Sequence, residues 1–348
     1  MPSDLTTVHV DASMASLSIE LNQEADQYLS NRMCAPASPE GSQLSGVFYK
    51  MGTERFRVSQ GPFSNARAVM SAVAPGTSAH ILDQSVSTAS WQGTTYALRD
   101  FVSDEEIAAS DVPLDPLIDA GRFLVQRILN DQEVVLSYIA ADYDNYPAGL
   151  RAQLVSTTTS WNATAYASAT SDPLKNIRDG RLAVEAAIGR PANFLALSRT
   201  VYRHLCDHTD FSTILQYTNE TYFEGEGIPN TLRGLELIVG TALGDTAAEG
   251  ATASLNDLFM DPTDSNYGCA IIGYKPKGEV GTRGLASFIR LNCENPTTGI
   301  RGISVRSYYD EDRRGWFVEA LITTDYRAGV LSGSSVGSAY MIARAAIP

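Results

Sequence analysis

The sequence predicts an α+β protein, and three observations carry that prediction. A helical apolar repeat is held through about 27 residues, 114–140. From about residue 232 onward, short strand-like runs alternate with Gly-rich turns. Between residues 46 and 100, two strand-like ends, Gly46 to Met51 and Thr94 to Arg99, enclose a stretch dominated by Ala, Ser, Gly and Thr. Gly61-Pro62 and Pro75-Gly76 punctuate that stretch as turn signals, so it reads as a long hairpin without a core. Ordering a segment of this length costs on the order of 80 kcal/mol. Offsetting that requires on the order of 3,000 Å² of apolar burial. Side chains this small cannot supply it from within, so the covering surface comes from elsewhere, such as another copy of the chain.

Taken in order, residues 1–45 read as an extended arm. One short amphipathic stretch (Ile19, Leu21, Ala25, Tyr28, Leu29) precedes the breakers Pro36, Pro39 and Gly41. After the hairpin, Ser110-Asp111-Val112-Pro113 is expected to cap and start the long helix. One apolar row is Leu117, Gly121, Leu124, Ile128, Val135 and Ile139; a second is Leu114, Ile118, Val125, Leu129, Leu136 and Ala140. The opposite face reads Asp119, Arg122, Gln126, Asn130, Glu133 and Ser137. Such a helix is roughly 40 Å long and suits a structural spine. The polar cluster Asn130 to Glu133 interrupts any coiled-coil seam. Asp172 caps a second helix with Pro173 at its first position, and Gly189 with Pro191 ends it. Asn193 to Leu197 is a strand, Ser198 caps a helix through Leu205, and another helical turn follows Asp210. Near the C-terminus, strands Ile303 to Tyr309 and Trp316 to Thr324 flank a turn, Asp310-Glu311-Asp312-Arg313-Arg314-Gly315, whose charges no core explains.

Composition narrows the function classes. At 44% apolar and 19% charged residues, the chain has the make-up of an ordered protein. No signal-peptide pattern and no long apolar run is present, so neither secretion nor a membrane span is expected. Cys34, Cys206, Cys269 and Cys293 are scattered without a CxxC pair and read as reduced thiols. A net charge of −14 argues against a protein that grips phosphate backbones. The charge is uneven. Residues 46–100 hold five bases against three acids, a net of +2, whereas residues 101–145 hold ten acids against two bases, a net of −8. A basic hairpin and an acidic neighbour suit each other across a subunit boundary, and ordinary solvated faces would look the same.

No constellation amounts to an active site. Gly333-Ser334-Ser335-Val336-Gly337 matches GxSxG, but His9, His80, His204 and His208 all precede it, and an α/β hydrolase needs its histidine downstream. His204 and His208 are spaced as helical metal ligands, yet the zincin glutamate is missing. Asp264 to Gly268 departs from a calcium loop in its glycine and its twelfth position. No catalytic residue, metal ligand or cofactor is therefore expected.

The order of elements is where a resemblance appears. Arm, long hairpin, spine helix, capped helix, the run Asn193 to Leu205, Gly-rich strands, charged hairpin and end strand together resemble the HK97-like major capsid proteins of tailed phages. The similarity is strongest over residues 90–218, through Val102 to Glu106, the spine, Gly189 to Asn193 and Leu197-Ser198. It returns over 230–260, with Glu249 to Leu255, and over 301–342. The resemblance implies an N-terminal arm (1–45), an E-loop hairpin (46–100), a peripheral domain (101–171 and 266–326) and an axial domain (172–265 and 327–348). It implies a non-enzymatic subunit that assembles into hexamers and pentamers of an icosahedral virion shell. That shell would form in the host cytoplasm and enclose double-stranded DNA without sequence-specific binding. Residues 51–100 hold no lysine, so the shell is expected to be non-covalent. The arm begins near Met1, which leads us to expect a separate scaffolding protein, alongside a portal and room for a decoration protein. The expected assembly residues are Arg55, Arg57 and Arg67 on the hairpin and Asp115, Asp119 and Glu133 on a neighbour's spine. To these the tip adds Asp310, Glu311, Asp312, Arg313 and Arg314. Two rivals stand beside this reading: an encapsulin-like shell around protein cargo, and a monomeric hydrolase using Ser335.

Overall fold

A computed structural model describes residues 28–39, 43–51, 75, 86–110, 115–154, 159–161, 171–209, 231–240, 242–245, 252, 255–261, 267–277, 286–328 and 338–346. The described residues begin with a single helical turn, α1 (Leu29–Arg32), and a short strand, β1 (Ala35–Ala37). β2 (Ser45–Met51) and β3 (Val86–Gln92) form an antiparallel ribbon, with Ser45 opposite Gln92 and Met51 opposite Val86. β4 (Thr94–Ser103) follows, then α2 (Asp104–Ala109), the spine helix α3 (Pro116–Ala140) and β5 (Arg151–Gln153). Next come α4 (Pro173–Ile188), β6 (Phe194–Leu197), α5 (Arg199–Asp207), β7 (Thr231–Leu232) and β8 (Leu235–Val239). The chain finishes with β9 (Leu243–Asp245), β10 (Leu255–Asp257), β11 (Gly268–Gly273), β12 (Phe288–Asn292), β13 (Ser304–Asp310), β14 (Gly315–Ala328) and β15 (Ala339–Ala346).

Local chemistry accounts for the helix ends. Asp172 accepts the Lys175 N–H at 2.7 Å ahead of Pro173, and α4 stops at Gly189, whose φ of 66° suits glycine. Ser198 accepts from Val201 to start α5, as its sequence suggested. The spine starts later than Ser110 to Pro113: Asp115 is its N-cap, accepting from Leu117 and Ile118, and Pro116 occupies the first position. The competing signals nearby serve α2, where Ser103 and Glu106 form a reciprocal capping box.

Two sheets organise the molecule. In one, β14 is the central strand. It pairs with β4 along Gly315 to Thr324 on one side. On the other side it pairs with β13 over Gly315 to Leu321 and with β12 over Thr324 to Ala328. β1 completes this five-stranded sheet alongside β12. The apolar face of α3 (Leu124, Val125, Ile128, Leu129) packs on it against Val102, Val305, Val318 and Ile322. The other sheet has six strands, in the order β5-β15-β11-β6-β8-β7. Alternation along its strands fills two cores. Leu195, Leu197, Ile272 and Ile342 face α4 and α5, while Phe194, Ala196, Ile271 and Met341 face α1 and the end of the spine. Burial on both faces explains why these strands are apolar throughout rather than alternating.

Three expectations change. The partner of β2 is Val86–Gln92, whereas Thr94 to Arg99 joins the five-stranded sheet; the chain crosses between the two at Gly93. There Cys293 Sγ lies 2.7 Å from where a Cβ would stand. β11 and β5, which the domain division assigned to the peripheral part, both belong to the six-stranded sheet. Finally, Glu133 and Ser137 are buried instead of lying on the polar face of the spine, because α1 packs over that side of the helix.

Candidate assembly surfaces

The tip hairpin is the most tightly built of the charged features. Arg314 has a φ of 53°, and a Cβ on Gly315 would fall 2.5 Å from the Val102 carbonyl oxygen. The turn therefore closes hard against β4. The Arg314 carbonyl accepts the Asp104 N–H at 3.1 Å, and the Tyr309 hydroxyl donates to the Asp104 carboxylate at 2.7 Å. That bond holds the phenol pKa above its ordinary value. Asp310 accepts from the Asp312 N–H and sits 4.0 Å from Arg313 Nε. Beneath the charges lies an aromatic bed. Phe101 packs tilted against Phe317 at 5.1 Å, Tyr309 meets Trp316 edge-on at 5.4 Å, and the Arg313 and Arg99 guanidinium groups cover Phe317. Glu311, Asp312, Arg313 and Arg314 are exposed on this support, with Asp310 half-buried.

On the spine, Asp115 and Asp119 are exposed in the first turn, Asp115 with one oxygen committed to capping. Glu133 is 1% exposed and engages Leu29 of its own chain, so it does not share their surface. Arg55, Arg57 and Arg67 lie outside the described residues, as do Ser335, Asp210, Asp264 and the 249–251 and 253–254 stretches. The structure also presents residues the sequence reading passed over. Phe123 is 63% and Tyr138 62% exposed on the spine, with Tyr308 and Tyr309 beside the tip. Phe123 was detectable as a large apolar residue inside the Asp119, Arg122, Gln126 stripe.

Of the histidine pair, His208 has a structural contact. Ser171 donates to the Ser160 carbonyl at 2.9 Å, and His208 Nε2 lies 3.1 Å from the same hydroxyl. With its one proton given away, the hydroxyl accepts, so His208 is the donor through Nε2–H. His208 thus ties the end of α5 to the segment ahead of α4. The four cysteines carry free thiols, three of them buried. Among the described residues no group of acidic, His and Cys side chains has the arrangement of a metal site, and no helix is long and apolar enough to cross a membrane.

No family model and no curated protein matches the chain. Solved structures do. A phage-related protein from Bordetella bronchiseptica RB50 superposes with a TM-score of 0.62 over 95% of this chain and 98% of its own, at 21% identity. A chain of Mycobacterium phage Cain gives a TM-score of 0.53 over 90% and 89%, at 12% identity. The virus-like particle from Pyrococcus furiosus gives 0.50 over 95% and 100%, at 10% identity. Identities this low speak to the fold. The chain has the HK97-like capsid fold, built as an α+β structure with a separate two-stranded ribbon, a spine helix and a charged tip.

Proposed function

We propose that this chain is a major capsid protein, a structural subunit whose copies close into hexamers and pentamers of an icosahedral shell around viral double-stranded DNA. The observation that carries the reading is the β2–β3 ribbon. Its root is anchored by Trp91, 3% exposed against Ile289, Leu291 and Cys293. Beyond that root, its two strands pair only with each other among the described residues. A two-stranded ribbon is marginal alone in water, so a neighbouring copy completes it. A net charge of −14 suits a wall that lets DNA pack without gripping it.

In this reading the ribbon is the E-loop and residues 1–45 are the arm. The five-stranded sheet with the spine forms the peripheral part, the six-stranded sheet the axial part, and the Asp310 to Arg314 tips meet between capsomers. Arg55, Arg57 and Arg67 pair with Asp115 and Asp119 of a neighbour, each exposed pair contributing about 0.2–1 kcal/mol. Scaffolding, portal and decoration proteins act as partners, assembly takes place in the host cytoplasm, and the subunit has no catalytic role. Expressing the chain and imaging it by negative stain should reveal closed shells; a monomer in dilute solution would end the proposal. Likeness to a virus-like particle makes the contents the second question. Nuclease-protected DNA in particles from infected cells supports the virion reading, and a defined protein cargo supports an encapsulin-like compartment.

A further inference from the structure

The single turn α1 is too short to be stable unaided, and Tyr28 gives it no side-chain cap. Two ionisable side chains from distant elements hold its ends instead. Glu133 on α3 accepts the Leu29 N–H at 2.5 Å, and the Ser30 N–H supports the same carboxyl. Lys275, beyond β11, donates to the Asn31 carbonyl at 3.3 Å and the Arg32 carbonyl at 2.5 Å. The Glu133 carboxyl accepts these N–H groups with or without its proton, and its burial, 1% exposed, opposes the charge that the helix dipole would favour. The interface is nevertheless incomplete: Glu133 Oε2 and Gln132 Nε2 are buried without hydrogen-bond partners. Lifting α1 would uncover the Glu133 carboxyl, whose Oε1 it covers through Leu29. Leu29, Met33 and Cys34, buried in the shared core, resist that movement.

We propose that α1 is a proton-controlled strap, docked while Glu133 is protonated and released when Glu133 ionises. The charged and titratable groups around it are Arg32 and Cys34 on the strap side, Tyr326 on β14, Arg290 on β12, Glu236 on β8 and Lys275. Tyr326 donates to Gln132, and Arg32 pairs with Glu236 at 3.5 Å. Burial pushes the docked Glu133 carboxyl from 4.5 up to about 8. Released, it faces water and titrates near its ordinary value. Docking is therefore strongest below pH 4.5, weakens as pH rises toward 8, and levels off above it, a change of roughly a thousandfold. Burial lowers Lys275, so its own deprotonation works in the opposite direction at more alkaline pH.

The test is hydrogen exchange of the full-length chain between pH 5.5 and 8.5, with rates corrected for intrinsic chemistry. Peptides over α1 should open progressively with pH, those over β11 should not, and Glu133→Gln should flatten the α1 response. Equal pH slopes in wild type and variant, or α1 and β11 opening together, would overturn the strap. Should the variant not fold, the wild type suffices: alkylation of Cys34 relative to Cys269, both buried, should climb with pH. A constant ratio refutes the proposal.

Discussion

Arg314→Gly separates what the tip does for the subunit from what it does for the shell. Arg314 holds a φ of 53°, where an L side chain costs about 1–2 kcal/mol. Glycine adopts that backbone freely but gives back about 0.5–1 kcal/mol through the freedom of its unfolded chain. The exposed side chain is lost, while the carbonyl that accepts from Asp104 stays. Subunit stability should therefore be unchanged or raised by up to about 1.5 kcal/mol, seen as an equal or higher urea midpoint of dissociated subunits with the same slope. Assembly should move the other way, since each copy loses one tip charge. Particle yield by sedimentation should fall at low salt. The deficit should close near 1 M NaCl, where the Debye length is about 3 Å. An unfolding free energy lowered by more than about 1 kcal/mol would refute the strain argument. Unchanged yield at every salt concentration would refute the tip as a contact.

Gly315→Ala should cost about 1–3 kcal/mol, because its Cβ meets the Val102 carbonyl oxygen, a backbone atom that cannot step aside; the urea midpoint reads this directly. Ser103→Ala removes the α2 capping box and should cost about 1 kcal/mol by the same assay, with faster amide exchange at Glu106. Asp119→Lys should leave the unfolding free energy within about 1 kcal/mol, the scale of its interaction with the spine dipole. It should nevertheless cut particle yield at low salt, and reversing Arg55 and Arg57 to Glu should restore part of it. No rescue in the triple variant would remove the proposed pairing.

Several features were legible because one short window contains their whole cause. Asp172-Pro173 and Gly189 delimit α4, Ser198 starts α5, and the 3.6-residue repeat marks the spine, since capping and amphipathicity depend on neighbours a few residues away. The charged turn at Asp310 to Gly315 was legible for the same reason. Other features depend on contacts between residues far apart in the chain. Val86–Gln92, rather than Thr94 to Arg99, pairs with β2, because β14 offers Thr94 to Ser103 a longer partner strand. β5 and β11 are drawn into the six-stranded sheet by β15, which closes the chain. Glu133 occupies a polar slot in the helical pattern, yet α1, a hundred residues earlier, folds over it and converts a surface charge into a buried cap. Helical wheels and caps are written in neighbouring residues, whereas burial is set by whichever distant segment arrives to exclude the water.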